Sequence, residues 1–131
     1  MSTSGVLISI VDDDVQVRSA LGRLMKAHGY CVQTFDSGAS LLSSEELGHT
    51  NCLVADVQMP GMTGPELHGR LVRAGVPIPT ILITAHPDEN VRSRALQAGV
   101  FRYLIKPIDG ADLIGCVHSA LQESERNGRA K

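Results

Sequence analysis

The stretch Cys52-Leu53-Val54-Ala55-Asp56-Val57-Gln58-Met59-Pro60-Gly61 decides the reading of this chain. An apolar run ends in one carboxylate and then breaks into Met59-Pro60-Gly61. Continuous apolar runs of this length are the pattern of strands buried on both faces of a parallel sheet. In open α/β sheets the chemistry collects just beyond the carboxyl ends of such strands. Asp56 is therefore the leading candidate for a working residue, with the rest of the chain positioning groups around it.

Upstream, Val6-Leu7-Ile8-Ser9-Ile10-Val11 reads as a first strand that ends abruptly in Asp12-Asp13-Asp14. Val17, Ala20, Leu21, Leu24 and Met25 follow at helical spacing, closing at Gly29. Cys31 to Phe35 is a shorter strand, and Ala39 to Leu47 reads as a helix with Leu41, Leu42 and Leu47 on its apolar face. Downstream, Thr63 and Glu66 form a T-x-x-E capping box, with Pro65 tolerated in the first turn. That helix carries Leu67, Leu71 and Val72 and stops near Gly75. Thr80 to Thr84 is the fourth strand, and Pro87-Asp88 opens a helix closed by Gly99. Phe101 to Ile105 is the fifth strand, running into Lys106-Pro107, and Asp109 can cap a last helix bearing Leu113, Val117 and Leu121. Strands alternating with helices imply right-handed crossovers and a parallel sheet covered on both faces. Residues 1–121 read as one domain and 122–131 as a polar tail or linker.

Composition narrows the classes of function. At 131 residues, 43% hydrophobic and 20% charged, the chain suits a single globular domain. A net charge of −2 lacks the basic excess of a nucleic-acid binder, so no direct nucleic-acid contact by this segment is expected. No apolar stretch approaches the ~18 residues needed to span a bilayer, and the polar start lacks the features of a signal peptide. Cys31, Cys52 and Cys116 show no CxxC spacing and read as structural thiols in a reducing cytoplasm. The five histidines show no zinc spacing.

In a parallel sheet all carboxyl ends share one edge. Asp12, Asp13, Asp56, Thr84 and Lys106 are therefore potential neighbours. Crowded carboxylates raise one another's pKa unless a cation intervenes. A hard divalent ion such as Mg²⁺, which takes carboxylates, waters and a phosphate oxygen, resolves that repulsion. An acidic, metal-binding site with a lysine and a hydroxyl suits phosphoryl transfer, with Asp56 as attacking carboxylate and Lys106 and Thr84 stabilising the transferred oxygens. Plainer readings stand beside this one. Asp13 and Asp14 can cap a helix, the better reading for Asp14. A lone Thr84 is a generic strand-end hydroxyl, Tyr103 a core aromatic, and an isolated Lys106 a solvated surface charge.

Four pieces in order carry a family resemblance: V-D-D-D at residues 11–14, D-V-Q-M-P-G-M-T-G at 56–64, I-T-A at 83–85 and Y-L-I-K-P at 103–107. From about Val6 to Leu121 the chain resembles the receiver domain of bacterial two-component response regulators. The resemblance implies a doubly wound, flavodoxin-like fold with five parallel strands in the order 2-1-3-4-5. It implies Asp56 as phosphoacceptor, Asp13 as direct Mg²⁺ ligand, Asp12 as a ligand through water, and the main-chain carbonyl of Gln58 as a further ligand. It implies Lys106 as partner of the phosphoryl group, Thr84 as switch hydroxyl, Tyr103 as the aromatic switch that moves inward on phosphorylation, and a cis Lys106-Pro107 bond. The implied donor is a sensor histidine kinase, and the implied output is an effector domain, a downstream protein or a phosphorylation-dependent homodimer. The T-A-H segment at 84–86 leans towards receivers that precede a helix-turn-helix domain. Ile108 departs from the phenylalanine frequent after the Lys-Pro pair, and Gly110 weakens the first turn of the last helix by up to about 1 kcal/mol.

Gln58 and His86 each lie two residues beyond a site residue, and both are expected to flank the opening and tune the lifetime of an aspartyl phosphate. Three rival readings compete with the signalling switch. A haloacid-dehalogenase-type phosphatase needs a second acid two residues after its nucleophile, and here that residue is Gln58. A flavodoxin-like cofactor binder needs a phosphate loop after the first strand, where three aspartates would repel phosphate. A degenerate receiver, acting as a phosphate-independent interaction module, would have lost one of the matching residues, yet all are present.

Overall fold

The computed structural model describes residues 5–126. The strands are β1 (Leu7–Val11), β2 (Cys31–Phe35), β3 (Cys52–Asp56), β4 (Thr80–Thr84) and β5 (Arg102–Ile105). They pair in parallel in the order β2-β1-β3-β4-β5, as the resemblance implied. The helices are α1 (Val15–Ala27), α2 (Gly38–Leu42), α3 (Gly64–Arg73), α4 (Glu89–Gln97) and α5 (Gly110–Arg126). Strand β3, central in the sheet, is buried along its whole length. Its side chains alternate between two cores: Cys52 and Val54 pack with Ile8, Ile10, Leu113 and Val117, while Leu53 and Ala55 pack with Val11, Leu41, Leu67 and Leu82. Period-two alternation with both faces covered explains why the strand reads as an unbroken apolar run.

Helix boundaries follow the caps seen in the sequence. Asp14 accepts from the N–H groups of Gln16 and Val17, so it caps α1. Thr63 and Glu66 complete the capping box on α3, Asp88 caps α4, and Asp109 accepts from the N–H of Asp112 at the start of α5. Gly29 and Gly75, both at positive φ, follow α1 and α3 as stops.

Four expectations need correction. The helix expected over Ala39 to Leu47 stops at Leu42 and is followed by a single 3₁₀ turn, Leu47–His49. The cause is local: the Ser43 hydroxyl donates back to the Ala39 and Ser40 carbonyls, and the Ser44 hydroxyl accepts from the Glu46 N–H. Serine side chains offer the backbone these alternatives to helix. Leu41 is buried as expected, and Leu42 and Leu47 still pack at the margin of the core. Ala20 and Val72, read with the apolar faces of their helices, are exposed. Cys31 is exposed because β2 is an edge strand, so only Cys52 and Cys116 pack inward. Finally, the polar stretch from residue 122 begins inside a helix, since α5 continues to Arg126. Residues 127–131 lie outside the described residues.

Candidate functional site

Sheet register brings the strand ends together. Val11 pairs with Ala55, which sets Asp12 beside Asp56 at the carboxyl edge. Asp56 pairs with Ile83, and Thr84 with Ile105, so Thr84 and Lys106 emerge on the same edge. Asp12 and Asp56 are buried and Asp13 is exposed. One carboxylate oxygen from each of these three lies within 4.8 Å of the others. The β1–α1 loop is pinned by two bonds: Asp12 Oδ1 accepts from the Asp14 N–H at 2.9 Å, and the Arg18 guanidinium donates to the Asp12 carbonyl at 2.7 Å.

Lys106 leaves β5 between two acids. Its Nζ stands 3.0 Å from Asp56 Oδ1 and 3.6 Å from Asp12 Oδ2. The shorter ion pair is the contact Asp56 Oδ1 makes; among the described residues this buried oxygen has no other polar partner. Burial is the main reason the Asp56 pKa lies above the ordinary aspartate value; Lys106 pulls it down, while Asp12 and Asp13 push it further up. Burial also opposes the charge on Lys106, but Asp56 and Asp12 together outweigh it and hold the ammonium pKa above its usual value. The Lys106-Pro107 peptide is cis, as the resemblance implied.

This donor set fits a hard divalent cation. Three carboxylates converge, one of them with an orphaned buried oxygen, and all available donors are oxygens. The acidic pocket can therefore hold a metal ion.

Thr84 is fully buried, and its hydroxyl donates to Gln58 Oε1 at 2.8 Å while accepting from the His86 N–H at 2.9 Å. Gln58 and His86 are both exposed. Tyr103 is half-buried, and its hydroxyl accepts from the Asp88 N–H at 3.3 Å, at the entry to α4. Asp12, Asp13, Asp56, Gln58, Thr84, His86 and Lys106 thus lie at or just beyond the carboxyl ends of their strands, whereas Tyr103 lies within β5, opposite Leu82, and reaches the entry to α4 through its hydroxyl.

Two features were not anticipated. A Cβ on Gly64 would stand 2.5 Å from the Asp56 carbonyl oxygen and 3.0 Å from Leu82 Cδ2, so only glycine lets α3 begin this close to β3. A glycine placed inside the capping box, where almost any residue would serve, was the available signal. The Gln58–Thr84 bond spans 26 positions and had no local signal. Elsewhere, a largely apolar groove lined by His68, Leu71, Phe101 and Ala120 lies among residues none of which belongs to this site. His68 is buried there, and burial lowers its pKa.

Comparison with known proteins agrees with the geometry. The family model described as the response regulator receiver domain matches residues 8–118. Nodulation protein W of Bradyrhizobium diazoefficiens is 31% identical over 130 residues, covering 99% of this chain and 57% of that protein. Response regulator protein TmoT of Ectopseudomonas mendocina is 34% identical over 122 residues, covering 93% of this chain and 56% of its own. The solved structure of response regulator StyR superposes with a TM-score of 0.87 at 34% identity, covering 97% of this chain and 64% of that one. The chain thus spans little more than half the length of the relatives it matches. No helix among the described residues is long and apolar enough to cross a membrane. With its sheet order, its acidic edge and these matches, the chain belongs to the response regulator receiver domain family.

Proposed function

We propose that this domain is a phosphorylation-driven signalling switch that takes a phosphoryl group onto Asp56 from the phosphohistidine of a sensor kinase. The observation that carries this reading is Asp56 itself: a buried carboxylate with one oxygen free of hydrogen bonds, held against a lysine and two further acids. An Asp56 oxygen attacks phosphorus, and the bond from phosphorus to the imidazole nitrogen breaks with its electron pair returning to the ring. Lys106 stays beside the reacting carboxylate, balancing charge as the phosphoryl oxygens arrive. Asp12, Asp13, Asp56 and the main-chain carbonyl of Gln58 would hold Mg²⁺, which when bound neutralises charge on the carboxylates and the transferred oxygens. Thr84 then donates to a phosphoryl oxygen, Tyr103 turns inward, and the face of α4, β5 and α5 changes its affinity for partners.

The domain acts in the cytoplasm and catalyses only its own phosphorylation and dephosphorylation. Gln58 stands where a phosphatase of the haloacid-dehalogenase type would keep its general acid. We read residues 1–121 as the receiver and 122–131, which start within the last turns of α5, as the way to an effector; relatives whose names call them transcriptional regulatory proteins favour an output in transcriptional control, for which a DNA-binding domain is the reading. Homodimerisation of the phosphorylated form through the α4-β5-α5 face would couple the two.

Incubation with Mg²⁺ and acetyl phosphate should add the mass of one phosphoryl group, and peptide mapping should place it on Asp56. An unchanged mass, or label on another residue, would refute the assignment. Gln58 and His86, both exposed, also set how water reaches the phosphoryl group. Replacing both by alanine should change the dephosphorylation rate several-fold, by up to roughly the tenfold that 1.4 kcal/mol of barrier represents. An identical decay of the phosphorylated form would rule out that role.

A further inference from the structure

We infer that the Gln58 side chain is a latch that holds Thr84 in its resting orientation and must be displaced for the switch to engage. The inference rests on the phosphoacceptor reading above but concerns a bond already present in the unphosphorylated chain. Thr84 has one hydroxyl hydrogen, and it is donated to Gln58 Oε1 at 2.8 Å. Thr84 Oγ1 itself accepts the His86 N–H at 2.9 Å, so both the donor and the acceptor side of the hydroxyl are occupied. While that bond lasts, Thr84 has no proton to offer an oxygen arriving at Asp56.

The latch is held from both ends. Thr84 is fully buried at the end of β4. Gln58 follows Val57, whose N–H donates to the Ile83 carbonyl at 2.8 Å and whose carbonyl accepts from the Gly64 N–H at 3.0 Å. The Gln58 main chain is thus anchored between β4 and the start of α3, and its exposed amide reaches back to Thr84 although water could satisfy it. Releasing the hydroxyl also withdraws the acceptor of His86, which frees the loop leading to Asp88, whose own N–H is tied to the Tyr103 hydroxyl at 3.3 Å. Gln58, Thr84, His86, Asp88 and Tyr103 therefore form one contiguous set, with Gln58 as the positioning residue at its head.

A phosphoryl group or its mimic must compete with Gln58 for the Thr84 hydrogen. The apparent affinity of the acidic site for such a group is lowered by the fraction of molecules still latched. A neutral hydrogen bond of ordinary net strength corresponds to a factor of about 2–10.

The test uses Gln58→Met, which keeps size and the main-chain carbonyl but removes the acceptor. With Mg²⁺ present, the variant should bind beryllofluoride, a non-hydrolysing phosphoryl mimic, about 2–10-fold more tightly than wild type. In a Thr84→Val background the same substitution should leave affinity unchanged. No gain in the wild-type background, or an equal gain in the Thr84→Val background, would overturn the latch. A second readout needs neither metal nor mimic: three-bond couplings of Thr84 should report one χ1 rotamer in wild type and a mixture in Gln58→Met. A single unaltered rotamer in the variant would also overturn it. If wild type bound no beryllofluoride at any concentration, the phosphoacceptor reading would fall, and the rotamer measurement would still decide the latch.

Discussion

Asp56→Asn is expected to abolish phosphoryl uptake and, in the absence of divalent metal, to raise stability at neutral pH. The first effect follows from chemistry, since an amide oxygen is a far weaker nucleophile than a carboxylate and the nitrogen cannot replace it. The second follows from where the charge sits. Asp56 is 6% exposed and its Oδ1 lacks a hydrogen-bond partner. Burial first, then Asp12 and Asp13, raise its pKa on folding, against the opposing pull of Lys106. An acid whose pKa rises on folding binds its proton more tightly in the native state than in the unfolded chain. The stability linked to that proton is present in acid and is lost as pH rises through the raised pKa, so the ionised group weighs against folding at pH 7. Asparagine removes this penalty and leaves Lys106 paired with Asp12 at 3.6 Å. A gain on the order of 1 kcal/mol is expected, the scale of one unsatisfied buried acceptor. The advantage should shrink as pH falls through the raised pKa of Asp56 towards the ordinary aspartate range. Denaturant unfolding of both proteins across pH without metal checks it. A variant less stable than wild type at pH 7 would mean that the Lys106 pair outweighs the burial of the charge. Mg²⁺ should stabilise wild type and have much less effect on Asp56→Asn, because an ion that binds only the native site shifts unfolding by mass action.

The same charged edge shows what a sequence can disclose. Strands β1, β3 and β4 declare themselves because both faces are covered and each reads as a mainly apolar run. Their shared direction then places Asp12, Asp56 and Thr84 together before any coordinate is known. Asp14 separates from Asp12 and Asp13 for a local reason, since it must cap α1. What stays hidden is decided by partners distant in sequence or by backbone proximity. Ser9 interrupts an apolar strand because its hydroxyl meets Thr50 at 2.7 Å inside the protein, across 41 positions. Cys31 is exposed because β2 lies at the edge of the sheet, a property of strand order and not of its own residues. Serines 43 and 44 end α2 by side-chain bonds that periodicity of leucines does not register. Gly64 is fixed by the Asp56 carbonyl, and Thr84 by an amide from another loop. The carboxylates of the site were legible, whereas the bonds that hold its resting state were not.

Lys106→Gln is expected to slow phosphoryl uptake by about 10²–10³-fold, the usual consequence of removing one preorganised stabilising group from a transferred oxyanion. The lysine side chain is 24% exposed, and its main-chain N–H is fixed to the Thr84 carbonyl at 2.8 Å. Incoming phosphoryl oxygens bring negative charge to a place where three carboxylates already converge. Lys106 is the fixed cation in ion-pair contact with both Asp12 and Asp56. Glutamine is one bond shorter but keeps a hydrogen-bond donor without the charge, so the loss reports chiefly electrostatics. Stability should move in the opposite sense to Asp56→Asn. Without the ammonium, Asp56 faces Asp12 and Asp13 uncompensated, and metal-free stability at pH 7 should fall by about 1–3 kcal/mol, less than a fully buried broken pair would cost. Metal separates the two consequences. Saturating Mg²⁺ should restore most of the lost stability, because it supplies charge to the resting carboxylates, yet should leave uptake slow. Uptake is read by intact mass against time with excess acetyl phosphate, and stability by denaturant midpoint in the same buffer. If Mg²⁺ restored both together, Lys106 would be only a counter-ion of the empty site, replaceable by any cation. If uptake stayed slow after stability recovered, the lysine acts on the transferring group itself.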